Sequence, residues 1–188
     1  MERLVPSATA LLVVDVQEKL AAAMPEDTLA TLVKNTAILL ETAKLLGVKV
    51  VASEQYPKGL GPTLAALATK LGEASAVTHA KMTFDACSHL PISQALTGAG
   101  PRTIQSVVVV GMETHVCVFQ TARELVRRGF STYVVADAVA SRREENRRIG
   151  LSLCEKAGAI VTTTETVAFD LLEQAGTEAF KAVSKLVR

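Results

Sequence analysis

The sequence predicts an α/β fold, a single-domain three-layer α/β/α sandwich around a mainly parallel six-stranded sheet. Three observations predict it. Short β-branched runs alternate with longer helical patterns along the whole chain. Most strand candidates are continuous apolar runs rather than alternating ones, as parallel strands covered on both faces require. No Pro/Gly/Ser-rich linker interrupts the 188 residues, so residues 1–188 are expected to form one domain.

The elements follow in order. Ala10–Val14 is the first strand candidate and ends at Asp15. Thr28–Leu46 is a helix, with Leu29, Leu32, Val33, Thr36, Leu39, Leu40 and Ala43 close to a 3.6-residue period and Gly47 as its stop. Val48–Ser53 is the second strand, Thr63–Leu71 a helix ending at Gly72, and Val77–Lys81 the third strand. Pro91, at an N1-like position, opens a short helix to about Leu96. Ser106–Val110 is the fourth strand. Gly111 follows it, and then a helix from His115 to Arg128, stopped by Gly129. Thr132–Ala136 is the fifth strand. Arg142–Lys156 reads as a helix with Ser141 as N-cap and Gly158 beyond its end. Ala159–Thr163 is the sixth strand, and Glu165–Arg188 reads as two helices broken near Gly176.

Composition narrows the function classes. Hydrophobic residues make up 49% and charged residues 21%, a globular balance leaning apolar. The net charge of +1 steers the chain towards neither nucleic acid nor an anionic membrane. Arg142, Arg143, Arg147 and Arg148 alternate with Glu144 and Glu145, which reads as a solvated helix face. The apolar run Ala10–Val14 is broken by Asp15, far short of the ~20 residues a membrane span needs, and no cleavage-type site follows it. Cys87, Cys117 and Cys154 are odd in number, widely spaced and without a C-x-x-C pair. That pattern points to reduced thiols in a cytoplasmic compartment and away from a thiolate zinc site.

In open α/β sheets, sites form outside the carboxyl ends of the strands. The first strand ends in Asp15, followed by Gln17; the third ends in Lys81; Cys117 follows the fourth. Singly, each has a plain reading: a turn carboxylate, a solvated lysine, a small core hydrophobe. Their joint placement at strand ends suggests chemistry. A helix N-terminus and an ammonium both lower a thiol pKa. A carboxylate can take the thiol proton and return it to a leaving group. The turn Gly111-Met112-Glu113-Thr114-His115-Val116-Cys117 offers backbone N–H donors beside the sulfur.

These residues resemble the isochorismatase-like hydrolases, a superfamily of α/β cysteine hydrolases with a Rossmann-like sheet. The resemblance spans nearly the whole chain and rests on L-L-V-V-D-V-Q at Leu11–Gln17, K-M-T-F at Lys81–Phe84, V-V-V-V-G-M-E-T-H-V-C-V at Val107–Val118 and A-D-A-V-A-S at Ala136–Ser141. S-E-Q-Y-P-K-G-L-G-P-T at Ser53–Thr63 is similar to the isochorismatase domain-containing branch. The resemblance implies an Asp15–Lys81–Cys117 triad and a cis peptide at Met112-Glu113. It further implies oxyanion donors at the N–H groups of Glu113 and Cys117, with Gln17 orienting the triad or a ligand. Met112 is placed in the substrate pocket with Gln17. Tyr56 and Phe84 either line that pocket or pack within their loops.

Related nicotinamidases bind a divalent metal through an Asp-x-His-x-x-His-type motif after the second strand. Ser53–Gly59 contains no histidine, and His79, His89 and His115 lack ligand spacing. No metal and no cofactor are expected. The pair Gly59 and Gly61 follows the wrong strand for a dinucleotide loop and lacks a third glycine. Isochorismatase proper needs no nucleophilic cysteine, so Cys117 points to a different reaction. The expected function is metal-independent hydrolysis of a small-molecule C–N bond through a cysteine thioester, in a homo-oligomer. The alternative is a non-catalytic interaction scaffold on the same fold. Cys154 and Cys87 read as packing residues, and His115 as pointing away from the nucleophile.

Overall fold

A computed structural model describes residues 3–97 and 104–187. Six strands form one sheet in the order β3-β2-β1-β4-β5-β6, and every pairing is parallel. They are β1 (Thr9–Val14), β2 (Lys49–Gln55), β3 (Val77–Lys81), β4 (Ser106–Met112), β5 (Ser131–Ala140) and β6 (Ile160–Thr162). The helices are α1 (Glu18–Ala21), α2 (Glu26–Leu46), α3 (Pro57–Leu60), α4 (Ala65–Glu73), α5 (Leu90–Thr97), α6 (Phe119–Arg127), α7 (Glu144–Lys156), α8 (Thr164–Leu172) and α9 (Glu178–Leu186).

Strand alternation sorts the apolar runs into two cores. Leu11, Val13, Val108, Val110 and Met112 meet Leu32, Leu39 and Leu40 of α2, Leu67 and Leu71 of α4 and Val167 and Leu171 of α8. Ala10, Leu12, Val14, Val107 and Val109 point the other way, onto Ile92 and Leu96 of α5, Ala122 and Leu125 of α6 and Cys154 of α7. Both faces of the valine runs are therefore covered, which gives the three-layer sandwich.

Several boundaries differ from expectation for identifiable reasons. Helix α2 starts at Glu26, where Glu26 and Asp27 favour the positive end of the helix dipole. Helix α7 starts at Glu144, not Arg142, and Ser141 does not cap it: the Ser141 hydroxyl is engaged with His115 Nδ1 at 3.0 Å. Helix α4 runs through Gly72 to Glu73. The one-turn helices α1 and α3 are too short to leave a periodic pattern in the sequence. Strand β5 is longer than expected because it carries an irregularity. Val109 pairs with Val134, but Gly111 pairs with Val139. The intervening carbonyls are taken by side chains: Arg147 donates to Ala136 O and to Val139 O, and Asn35 donates to Asp137 O. Such bulges re-aim a strand end. Of the expected tail helices, residue 188 lies outside the described residues.

Gly111 is where β4, the strand that leads to Cys117, must be glycine. Its φ is +121°, and an added Cβ would lie 2.0 Å from Val14 O on the neighbouring strand. Gly111→Ala is expected to destabilise the protein by about 3 kcal/mol or more. Urea unfolding monitored by circular dichroism would measure it; a loss under about 1 kcal/mol would contradict this close approach.

Candidate active site

The site is built across four adjacent strand ends. Strand β1 leads into Asp15, whose φ of +51° is left-handed, a region Asp tolerates better than most side chains. Continued alternation would send Asp15 to the face of Leu11 and Val13. The reversal in φ brings its carboxylate instead to the side of Ser53 and Lys81. Ser53 Oγ donates to Asp15 Oδ1 at 2.7 Å, and Lys81 Nζ donates to Oδ2 at 2.7 Å. Both members of the Asp15–Lys81 pair have side chains at 0% exposure. Two charges taken fully out of water persist only when their remaining hydrogen-bonding capacity is met.

Lys81 meets that condition. Besides Asp15, its ammonium donates to Gln55 Oε1 at 2.8 Å, Thr83 O at 3.1 Å and Phe84 O at 3.2 Å. An ammonium has three N–H groups, so the two longer contacts share one in a bifurcated bond. No N–H remains to act on a substrate; Lys81 acts as a fixed positive charge.

Cys117 lies in a π-helical turn, Thr114–Val118, that joins β4 to α6. The peptide Met112-Glu113 is cis. Glu113 O accepts from the N–H groups of Val116 and Val118, at 3.0 and 3.2 Å, and so straddles Cys117. Helix α7 presses on this turn at Gly150, where an added Cβ would come within 2.8 Å of the His115 backbone. His115 Nδ1 and Nε2 face Ser141 Oγ and Asn146 Nδ2, at 3.0 and 3.4 Å, so its ring ties the turn to α7 rather than serving as a base.

The thiol departs from the expectation of a lowered pKa. Burial, at 5% exposure, pushes Cys117 up to about 12, and the adjacent Asp15 carboxylate adds to the rise, both by its charge and by accepting a hydrogen bond. Lys81 pulls the other way, and Glu113 adds slightly to the rise. Desolvation outweighs the favourable charge and turn geometry, so the resting thiol is protonated. Cys87 and Cys154 are also buried and pushed up to about 12. Cys87 also has a carboxylate, Asp85, beside it, but that group is spent on Cys87 N and Ser88 Oγ. Cys117 differs in that its carboxylate, Asp15, is fully buried and ion-paired with Lys81.

The expected pocket residues divide. Met112 is fully buried in the core on the α2 face, opposite Cys117, and does not line a pocket. Gln17 is also fully buried, with its carboxamide spent on main chain: Oε1 accepts from Gln55 N at 2.7 Å, and Nε2 donates to Gln55 O and Gly61 O at 3.0 and 2.7 Å. It braces the loop after β2 and offers nothing to a ligand. Tyr56 packs its ring on Gly59 of its own loop, where an added Cβ would sit 2.3 Å from the ring. Phe84 is 54% exposed, and only its carbonyl reaches Lys81. A hollow of about 250 Å³ borders Lys81, lined by Pro57, Met82, Thr83, Ser88 and His89 among others.

The residues do not suit a metal. Glu54, the acid after β2, spends its carboxylate on Thr63 N and Oγ1, at 2.7 and 2.8 Å. Among the described residues, no group of three or more His, Cys, Asp or Glu side chains is placed to hold an ion.

Sequence reasoning missed Ser53, Gln55, Arg142 and Gly150. The first two did carry a signal: they are polar residues two apart at the end of an otherwise apolar strand, on one face and between the strands of Asp15 and Lys81. Arg142 donates its main-chain N–H and its Nε to Glu113 Oε1, at 3.1 and 3.0 Å, and sequence spacing gives no sign of that pairing.

The isochorismatase domain profile matches residues 9–166. The chain belongs to the isochorismatase family. Isochorismatase-family relatives include the secreted isochorismatase effector Isc1 of Phytophthora sojae, 37% identical over 99% of this chain and 87% of that protein. Isochorismatase domain-containing protein 2 of Bos taurus is 36% identical over 99% of this chain and 86% of that protein. Among solved structures, the MAR1 ribonuclease of Caenorhabditis elegans is 35% identical with a TM-score of 0.90, covering 99% of this chain and 92% of that one. Among the described residues, no helix of this isochorismatase-family chain is long and apolar enough to cross a membrane.

Two outcomes are expected at the site. Lys81→Met strands a buried Asp15 carboxylate and should cost about 3–5 kcal/mol in chemical denaturation; a cost near zero would mean that the pair is not held out of water. With a thiol near 12, Cys117 alkylation by iodoacetamide should rise about tenfold per pH unit across the neutral to mildly alkaline range. A plateau below about pH 8 would contradict the protonated resting state.

Proposed function

We propose that this chain is a metal-independent cysteine hydrolase that cleaves an amide-type C–N bond in a small molecule. The observation carrying this reading is the fully buried Asp15–Lys81 pair at 2.7 Å, with the Cys117 thiol close enough to feel both charges. As the sulfur attacks the substrate carbonyl carbon, its proton passes to Asp15 and the C–S bond forms. Asp15 then protonates the departing nitrogen, the C–N bond breaks and a thioester remains. Water, deprotonated by Asp15, attacks the thioester. The carboxylic acid leaves, and the proton returns to sulfur.

Lys81 holds Asp15 in place and balances the charge that moves between sulfur and oxygen. The N–H groups of Glu113 and Cys117 are the proposed donors to the oxyanion. Because Cys117 rests as a thiol, the proton transfer belongs to the attack itself rather than to a standing thiolate. The resting Asp15–Lys81–Cys117 group carries no net charge, and this suits a neutral amide.

The hydrolase reading draws further support from the family fold. The ribonuclease name belongs to the C. elegans protein; a net charge of +1 gives this chain no comparable reason to hold a polyanion. Self-association is part of the same reading. Val77, Met82, Phe84 and Leu90 stand 54–70% exposed on and just after the edge strand β3, and light scattering should find a species larger than the 19.9 kDa chain.

The deciding experiment is an ammonia-release screen of small amides and ureas with the parent protein and Cys117→Ala. Cys117→Ala should remove turnover by at least about 10³-fold while leaving the circular dichroism spectrum unchanged, and intact-mass analysis of the parent should catch an acyl adduct on Cys117. Turnover that survives Cys117→Ala would end the nucleophile assignment. A parent protein inert to the whole panel, with an unreactive Cys117, would favour the interaction scaffold.

A further inference from the structure

We infer that Gln55 is a positioning residue for Lys81, the fourth polar member of the site, and that its carboxamide orientation sets how the ammonium is shared with Asp15. The inference rests on the triad chemistry proposed above. Gln55 is the last residue of β2, the strand between β1 and β3, and it pairs in register with Lys81. Every polar atom of the residue is committed. Oε1 accepts from Lys81 Nζ at 2.8 Å, and Nε2 donates to Met82 O at 2.8 Å. Its main-chain N–H and carbonyl are both bonded to the Gln17 carboxamide, at 2.7 and 3.0 Å.

The Met82 bond fixes the amide. With Nε2 on a carbonyl, only Oε1 can face the ammonium, so chemistry fixes the orientation. Gln17 locks the backbone from behind, and a one-sided neutral acceptor is thereby presented to Lys81. Neutrality matters here. A carboxylate at this position would compete with Asp15 for the same cation. An apolar side chain would leave the Met82 carbonyl without its partner and free the ammonium to turn from Asp15 towards the separate carbonyls of Thr83 and Phe84. The titratable groups around Gln55 are Asp15 beyond β1, Lys81 of β3 and Cys117 after β4. Glu54 on its own strand is tied to Thr63.

The test reads the thiol rather than turnover. Cys117 alkylation by iodoacetamide is followed by mass spectrometry from mildly acidic to mildly alkaline pH in the parent, Gln55→Leu, Gln55→Glu and Lys81→Met. Gln55→Leu should alkylate about tenfold more slowly, because a loosened ammonium no longer favours the thiolate. Gln55→Glu should show a ratio to the parent that changes with pH. Protonated, its carboxyl reproduces the amide, with an acceptor for Lys81 and a donor for Met82 O; ionised, it draws Lys81 from Asp15 and slows the thiol. A merely structural role would shift the rate equally at all pH values.

A Gln55→Leu protein that folds and alkylates like the parent overturns the inference. If Gln55→Leu does not fold, Gln55→Glu decides, and a ratio to the parent that is flat with pH overturns it. An effect of Lys81→Met without an effect at Gln55 removes this inference alone. A Lys81→Met protein that alkylates like the parent removes the triad reading and this inference with it.

Discussion

The Asp15–Lys81 ion pair is the constraint to which the surrounding structure answers. Two opposite charges at 2.7 Å and zero exposure attract strongly, yet removing both from water costs several kcal/mol per ion. The pair survives because every N–H of the ammonium and both carboxylate oxygens are engaged. Ser53 covers Oδ1, Gln55 and two loop carbonyls cover the ammonium, and Gln17 fixes Gln55 from the far side. Five polar side chains thus form one satisfied cluster at the carboxyl edge of an otherwise apolar sheet. A partly satisfied version would be less stable than hydrophobic packing.

The same cluster shapes the thiol. Cys117 sits on the apolar face shared with α5 and α6, and burial there dominates its electrostatics. A standing thiolate would need solvent or an unpaired cation, but Lys81 is already committed to Asp15. The protein instead keeps a neutral thiol beside the Asp15–Lys81 pair. In the proposed attack proton and sulfur move together, and the ammonium has no need to move. A protonated, buried sulfur is also less open to alkylation and oxidation than a thiolate.

Much of this was legible in the sequence because strand ends are legible. The valine run before Gly111, the apolar run before Asp15 and the run ending in Lys81 all mark where a parallel sheet stops. Those positions carry the Asp15–Lys81–Cys117 constellation. What was not legible depends on side-chain direction. Gln17 and Met112 follow the right motifs, but one turns its amide to backbone and the other lies on the opposite face of β4. The raised thiol pKa was not legible either, because spacing reveals nearby charges but not the depth of burial. The irregularity in β5 was hidden because its extra residues, Ala136 to Ala138, are as apolar as a regular strand apart from Asp137.

The loops that close the site separate chemistry from recognition. Lys81 is held partly by the carbonyls of Thr83 and Phe84, and Gln17 reaches the carbonyl of Gly61. Main-chain acceptors are independent of the side chains that share their residues. Met82 and Phe84, 70% and 54% exposed, are therefore free to differ without disturbing the charge cluster beneath them. The same holds for Tyr56 on the opposing loop, whose main-chain N–H donates to Lys81 O at 2.9 Å while its ring stays at the surface. A fold built this way keeps one buried charge cluster while the exposed side chains of the rim vary around it; under the proposed function, that rim would select the small molecule that reaches the sulfur.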